Sequence, residues 1–180
     1  MNISIFGIGF PGDRPGYACL LELTGHIIKL QFEFEGNTLD ELLSKCCTFK
    51  RDYKETYPIA GFVGRKTDAE LAFIKDHNKN PLNEPIIFSE APNTEKTGKI
   101  SYHINSILNV MRNDNKRLYL QDKSKVLAYL LAIPKTETAN ITDRQQPAVA
   151  GLGYGVSFLI NRTSYPETIS TRKHLGNMAA

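Results

Sequence analysis

Gly7-Ile8-Gly9-Phe10-Pro11-Gly12 has the GxGxxG spacing of a dinucleotide-binding turn and directly follows an apolar run. In such a turn the glycines let the backbone approach a pyrophosphate that rests on the N-terminus of the next helix. Asp13-Arg14-Pro15-Gly16 follows instead, and two prolines and two glycines between Pro11 and Gly16 cannot open a helix. The segment therefore reads as a loop between strands. Gly151, Gly153 and Gly155 lack the Gly-Lys-Ser/Thr ending of a phosphate loop, so that chemistry is excluded too.

His26, His77, His103 and His174 are scattered, and no HExxH or HxH pair places two of them on one face, so no metal site and no cofactor are expected. His103 is the one candidate general base, unpaired in sequence. Cys19, Cys46 and Cys47 form neither a CxxC pair nor an even-numbered disulfide framework, which suits a reducing compartment. No GxSxG elbow is present, and Cys46-Cys47 fall inside an expected helix, so no catalytic residue is assigned. Glu33 and Glu35 share one strand face, where the spacing suits paired carboxylates, but Lys29 and Gln31 beside them make a solvated face the simpler reading. Asn140-Ile141-Thr142 and Asn161-Arg162-Thr163 match the glycan acceptor pattern, which has no use without a secretory route.

Charge supplies the remaining candidate. The net charge is only +3, but Ser101 to Lys135 holds six basic and two acidic residues, whereas Met1 to Glu35 holds two basic and four acidic. Arg112, Lys116, Arg117, Lys123 and Lys125 form a basic patch of the kind that attracts phosphate, in RNA or at an anionic lipid surface, by releasing counterions. The alternative is a solvated turn and helix face.

The elements that must position these residues follow from periodicity. Ile3 to Phe10 and Tyr17 to Leu23 read as strands, joined by Thr24-Gly25-His26 to a third in which Ile28, Leu30, Phe32 and Phe34 alternate with polar residues. That alternation predicts an antiparallel sheet with one buried side. Thr38 with Glu41, and Thr67 with Glu70, are capping-box signatures opening two helices, the second running to about His77. Asn78 to Lys99 reads as extended loop with a short edge strand over 86–89. Ile100 to Val110 alternates like a long strand, Asp122 to Ile133 reads as a helix that can turn to strand at its end, Gly151 to Gly155 as a flexible stretch, and Val156 to Asn161 as a last strand.

With 180 residues, 41% hydrophobic and 23% charged, the chain suits one folded core. Its longest apolar run, Val126 to Ile133, is far short of the roughly 20 residues that span a bilayer, and no secretory signal is visible. The expectation is a single α+β domain over 1–166, a mainly antiparallel sheet with two to three helices packed on one face, followed by a mobile C-terminal tail over 167–180.

The order of a wet-faced strand (Lys29 to Gly36), a helix (Thr38 to Tyr53), a glycine-bearing link (Tyr57 to Arg65), a long strand from Lys99 and a basic helix running into an apolar strand (Asp122 to Glu137) resembles that of rhabdovirus matrix proteins, chiefly the small ones of plant viruses. The family's PPxY and PTAP release motifs and basic N-terminal arm are absent, which removes budding-factor recruitment from what the likeness implies. It implies a self-associating viral matrix protein, non-enzymatic, that links the nucleocapsid or its RNA to an anionic membrane surface and resides in the virion and host cytoplasm, peripheral to membranes and not secreted. Arg112, Lys116, Arg117, Lys123 and Lys125 are then the candidate phosphate contacts. The competing readings are a small α+β enzyme or nucleic-acid-processing factor with a site around His103 and the basic patch, and a monomeric inhibitor or immunity-type binding module.

Overall fold

The computed structural model describes residues 2–90, 98–112, 118–133, 138 and 140–163. The N-terminal meander forms as its alternation predicts: β1 (Asn2–Gly9) pairs antiparallel with β2 (Gly16–Thr24), and β2 with β3 (Ile27–Gly36). Gly25, at φ +60°, opens the two-residue turn into β3, a conformation that side chains disfavour and hairpins need. Thr38 then caps α1 (Leu39–Asp52) by accepting from the Glu41 amide at 3.2 Å, while the Glu41 carboxylate accepts from the Asn37 amide at 2.8 Å.

The helix α1 carries the chain back across the sheet to β4 (Ile59–Gly64), which pairs parallel with β1. A full capping box at Thr67 and Glu70 starts α2 (Asp68–Lys79), which leads to the edge strand β5 (Phe88–Glu90), parallel to β4. The helix α3 (Ile100–Arg112), the short β6 (Leu118–Tyr119, parallel to β3), α4 (Lys125–Ala132) and α5 (Pro147–Thr163) complete the described chain. The strand order is β5-β4-β1-β2-β3-β6.

The α+β class therefore holds, but the sheet is mixed, with a mostly antiparallel meander and parallel additions at both edges. Among the described residues five helices cover it, and they lie on both faces. Phe6, Ile8, Leu20 and Phe62 pack under α1 and α2 with Leu42, Leu43, Cys46, Phe49 and Ile74. Ile5, Cys19, Leu21, Leu30 and Val63 pack under α3, α4 and α5 with Ile107, Val126, Val149, Leu152 and Val156. Burying each such side chain contributes about 1.5–3 kcal/mol.

The expectation of one buried side fails along β1 and β2, which are buried on both faces, and in β3 its failure turns on a single residue. Leu21 pairs with Leu30 but Leu20 pairs with Phe32, so a bulge at Gln31 reverses which face the strand presents. Ile28 and Leu30 join the core beneath α5, and Phe34 packs in the core beneath α1.

Two expected strands, Ile100 to Val110 and Val156 to Asn161, are helices, as is the glycine stretch ahead of the second. Over Ile100 to Val110 the alternation overlies a second pattern, and the buried residues Ile100, His103, Ile107 and Val110 recur at helical spacing. Glycines 151, 153 and 155 lie inside α5, with Pro147 at its first position, where a missing N–H costs nothing. Each interior glycine costs roughly 1 kcal/mol of helix propensity, and the contact it permits offsets that. A Cβ at Gly7 would collide with the Gly151 carbonyl oxygen, one at Gly9 with that of Pro147, and one at Gly155 with Leu21. The segment read as a glycine-bearing link is β4. The tail over 167–180 lies outside the described residues.

Gly7→Ala is therefore expected to lower the unfolding free energy by about 2–4 kcal/mol, since overpacking against backbone reaches or exceeds the usual cost of an enlarged core. Gly25→Ala, whose Cβ meets nothing within 4 Å, should lose only the roughly 1 kcal/mol of left-handed strain. Urea unfolding of the two variants checks this, and equal losses would refute the close approach of β1 and α5.

Candidate functional site

From β1 the chain proceeds to β2 on one side, and from β4 to β5 on the other, so connections diverge at the carboxyl ends of these two neighbouring parallel strands. In open sheets with parallel strands, such a divergence leaves a crevice where ligands bind. Here β1 runs into Phe10 to Arg14, β4 runs into Arg65, Lys66 and the cap of α2, and the loop before α5 brings in Asp143, Arg144 and Gln146.

These segments are tied together by charge. The Arg144 guanidinium takes Glu70 with both terminal nitrogens, through a close Nη1–Oε1 pair and Nη2 at 2.8 Å from Oε2. Nη2 also donates to the Arg65 carbonyl at 3.0 Å. Burial disfavours the Arg144 charge, but the Glu70 hydrogen bond together with the charges of Glu70, Asp143 and Tyr154 outweighs it and holds its pKa above the ordinary value. The guanidinium lies over the Phe10 ring at 5.3 Å; Phe10 stacks on Phe88 at 5.7 Å, and Lys66 sits over Phe88 at 4.4 Å.

Asp143, 3% exposed, accepts from the Tyr154 hydroxyl at 3.0 Å, and its Oδ2 lies 3.2 Å from Arg65 Nε. Burial and the adjacent Asp143 carboxylate raise the Tyr154 pKa, so this hydroxyl stays protonated and donating. The Arg65 side chain is 29% exposed, and its guanidinium packs against Gly98, where a Cβ would collide with Nη1. Arg14 approaches Gln146 at 3.5 Å on the far side of the loop. Arg65 and Lys66 thus flank the Arg144–Glu70 pair, while Arg14 lies across the loop, in the cleft with Tyr17, Glu35 and Tyr129.

His103 does not reach these residues. It is 0% exposed, lies edge-on to the Tyr154 ring at 4.3 Å, and fills the space that a side chain at Gly153 would need. Neither of two surface clefts includes it. One, of about 280 Å³, lies between α3 and α5 at Tyr102, Ser106, Asn109 and Ser157. The other, of about 100 Å³, lies at Arg14, Tyr17, Glu35 and Tyr129, and both fall below the roughly 300–1,000 Å³ of small-molecule pockets. Among the described residues no group of three His, Cys, Asp or Glu side chains is placed to hold a metal ion.

Most of the predicted basic patch falls outside the described residues. Lys123 is exposed ahead of α4, Arg112 ends α3, and Lys116 and Arg117 lie outside the described residues. Lys125 is committed: its Nζ is 2.6 Å from Glu35, and that hydrogen bond raises its pKa. Glu33 and Glu35 are not a solvated face but the dock for α4. Glu33 accepts from the amides of Lys125 and Val126 at 3.1 and 3.0 Å and from the Tyr17 hydroxyl at 2.6 Å, so a carboxylate sits on the positive end of α4. Glu35 takes Lys125 and the Tyr129 hydroxyl, the latter at 2.9 Å.

Sequence reasoning missed Arg14, Arg65, Lys66, Glu70, Asp143 and Arg144 as a group. One local signal existed: Arg65-Lys66 stands between an apolar run and a capping box, where a strand end meets a helix start. The cysteines are inert, Cys47 pushed up to about 11 by burial and Cys46 and Cys19 also raised by burial. Among the described residues no helix is long and apolar enough to cross a membrane. No protein-family model matches the chain, and no curated protein matches it in sequence.

The Lys125 hydrogen bond, with help from Tyr129 and against a burial cost, lowers the Glu35 pKa below the ordinary carboxylate value. A depressed folded pKa gives stability that is complete above the unfolded value near about 4.3 and lost as pH falls through the folded value. Glu35→Gln should therefore flatten the acid limb of the stability curve between about pH 5 and pH 3, by under about 1 kcal/mol because Lys125 is largely solvated. Chemical unfolding across that range checks it; parallel curves for the two proteins would contradict the docking role.

Proposed function

We propose that this chain is a non-enzymatic assembly protein that holds the phosphate backbone of RNA against the carboxyl end of its sheet and associates with copies of itself. The observation that supports this is the placing of Arg65 and Lys66 at the β1–β4 divergence beside the Glu70-anchored Arg144, with Arg14 across the loop. Guanidinium forks suit phosphate oxygens, and an open sheet end suits a polymer better than a small ligand. The resemblance to rhabdovirus matrix proteins supports the same task, a layer that joins a nucleocapsid to its surroundings in the virion and host cytoplasm. The long strand from Lys99 that entered the resemblance is α3, so this support rests on the segments before Arg65 and on the helix after Asp122. Relative to the sequence-based candidates, the phosphate contact moves from the Arg112–Lys125 patch to the sheet end.

Anisotropy titration of a labelled single-stranded RNA between about 50 and 200 mM salt tests this. Replacing Arg14, Arg65 and Lys66 together by alanine is expected to weaken binding at low salt by at least about tenfold. It should also reduce the slope of log affinity against log salt by about 2, near 0.7 per lost contact. Unchanged affinity in that variant, alongside loss in a Lys116/Arg117/Lys123 variant, would return the contact to the predicted patch. Binding to anionic vesicles with no binding to RNA would overturn the reading.

A further inference from the structure

Arg14 and Glu35 line one cleft of about 100 Å³, together with Tyr17, Tyr129 and the start of α5 at Pro147 and Ala148. In so small a space a guanidinium on its flexible stem has the carboxylate within reach, and opposite charges there attract. Among the described residues the two nonetheless form no ion pair. The Arg14 guanidinium approaches Gln146 Oε1 instead, at 3.5 Å.

Both oxygens of Glu35 are already filled from α4. Oε2 accepts from Lys125 Nζ at 2.6 Å and Oε1 from the Tyr129 hydroxyl at 2.9 Å. The two donors stand four residues apart, so one side of the helix presents both. The first turn of α4 is fixed independently of them: Glu33 accepts from the amides of Lys125 and Val126, Ser124 accepts from the Leu127 amide at 3.3 Å, and the Val126 side chain is fully buried. Removing the polar atoms of Lys125 and Tyr129 therefore strips Glu35 of its partners while α4 keeps its own anchors. Two other cations lie near that carboxylate. Lys45 is held on α1, between the Glu35 main-chain carbonyl and the Glu41 carboxylate, both at 2.6 Å. Arg14 lines the cleft itself. The hydrogen bond to Glu35, then burial, raises the Tyr129 pKa, and the Arg14 charge is among those that oppose the rise.

We infer that Lys125 and Tyr129 are positioning residues for Arg14: by filling Glu35 they keep Arg14 from turning inward onto that carboxylate, and so keep its fork open to phosphate. This rests on the phosphate-binding reading above, and it gives Lys125 a part in that site without contact to the ligand. An Arg14 closed on Glu35 loses the paired donors that suit a phosphate.

Lys125→Met with Tyr129→Phe, which keeps the apolar stems and removes the polar atoms, tests this first without RNA. Phenylglyoxal is expected to modify Arg14 at least about threefold more slowly in this variant than in wild type, because a carboxylate partner shields the guanidinium. Adding Glu35→Gln should restore the wild-type rate, whereas adding Glu22→Gln, which removes the same charge from β2 outside the cleft, should not. Affinity for single-stranded RNA at about 50 mM salt should follow, falling at least about threefold and recovering with Glu35→Gln alone of the two. Recovery decides the matter, since removing Glu35 repairs neither a lost Lys125–phosphate contact nor a lost dock for α4. Circular dichroism melts report which variants fold, and Lys125→Met alone stands in for the pair if the pair does not. Arg14 modified at the wild-type rate in the Lys125 and Tyr129 variant, or a slowing that Glu35→Gln fails to lift or Glu22→Gln lifts equally, overturns the inference. Arg14 rates that behave as expected in a chain that binds no RNA would overturn the phosphate reading and leave the positioning of Arg14 standing.

Discussion

The contact on which the rest of the molecule depends is one of backbone against backbone: β1 at Gly7 and Gly9 against α5 at Pro147, Gly151 and Gly155. Interiors pack at crystal density, so a helix can come this near a strand only where both lack side chains. The consequences run along the chain. With α5 seated so closely, the loop ahead of it is laid over the carboxyl ends of β1 and β4, and Asp143 and Arg144 arrive opposite Arg65 and Glu70. At the helix's other glycine, Gly153, the space goes to the buried His103 ring, which turns a candidate base into a packing residue.

Charged side chains then do local joining. Glu33 and Glu35 fasten α4 to β3, and Glu70 fastens the α5 loop to α2. Charge-assisted bonds of this kind are stronger than neutral ones and directional, which suits them to fixing the registration of a loop or a helix end. They also consume cations. Lys125, Arg144 and Arg65 are bound to carboxylates, so net charge along the sequence is a poor guide to the charge available to a partner. Arg14, Arg65 and Lys66 extend from segments so fastened.

Much of the frame was legible because it is written in local chemistry. The helix caps at Thr38 and Thr67, the second a complete capping box, and the strand chemistry of β1 to β3 act within a few residues of themselves, and the structure keeps them. What was illegible depends on distant partners. A one-residue bulge at Gln31 leaves the alternation of β3 intact in sequence while reversing its faces. The segment over 100–110 satisfies two periods at once, and only its neighbours select the helical one. Glycines 151 to 155 look like a breaker until the strand they pack against is known. The candidate site shares that fate: Pro58, Gly61 and Gly64 disguise β4 as a link, so nothing in sequence announced that Arg65 and Lys66 stand at the end of a strand beside β1.

On this account the sheet end, rather than the charge-rich stretch of sequence, is where phosphate is held. Arginine modification by phenylglyoxal, read by mass spectrometry with and without single-stranded RNA, puts that to the most direct test. The account predicts that RNA slows modification of Arg14 and Arg65, and leaves that of Arg144, whose fork is already filled by Glu70, slow in both conditions. Protection confined to Arg112 and Arg117, with Arg14 and Arg65 reacting as fast as in free protein, would contradict it.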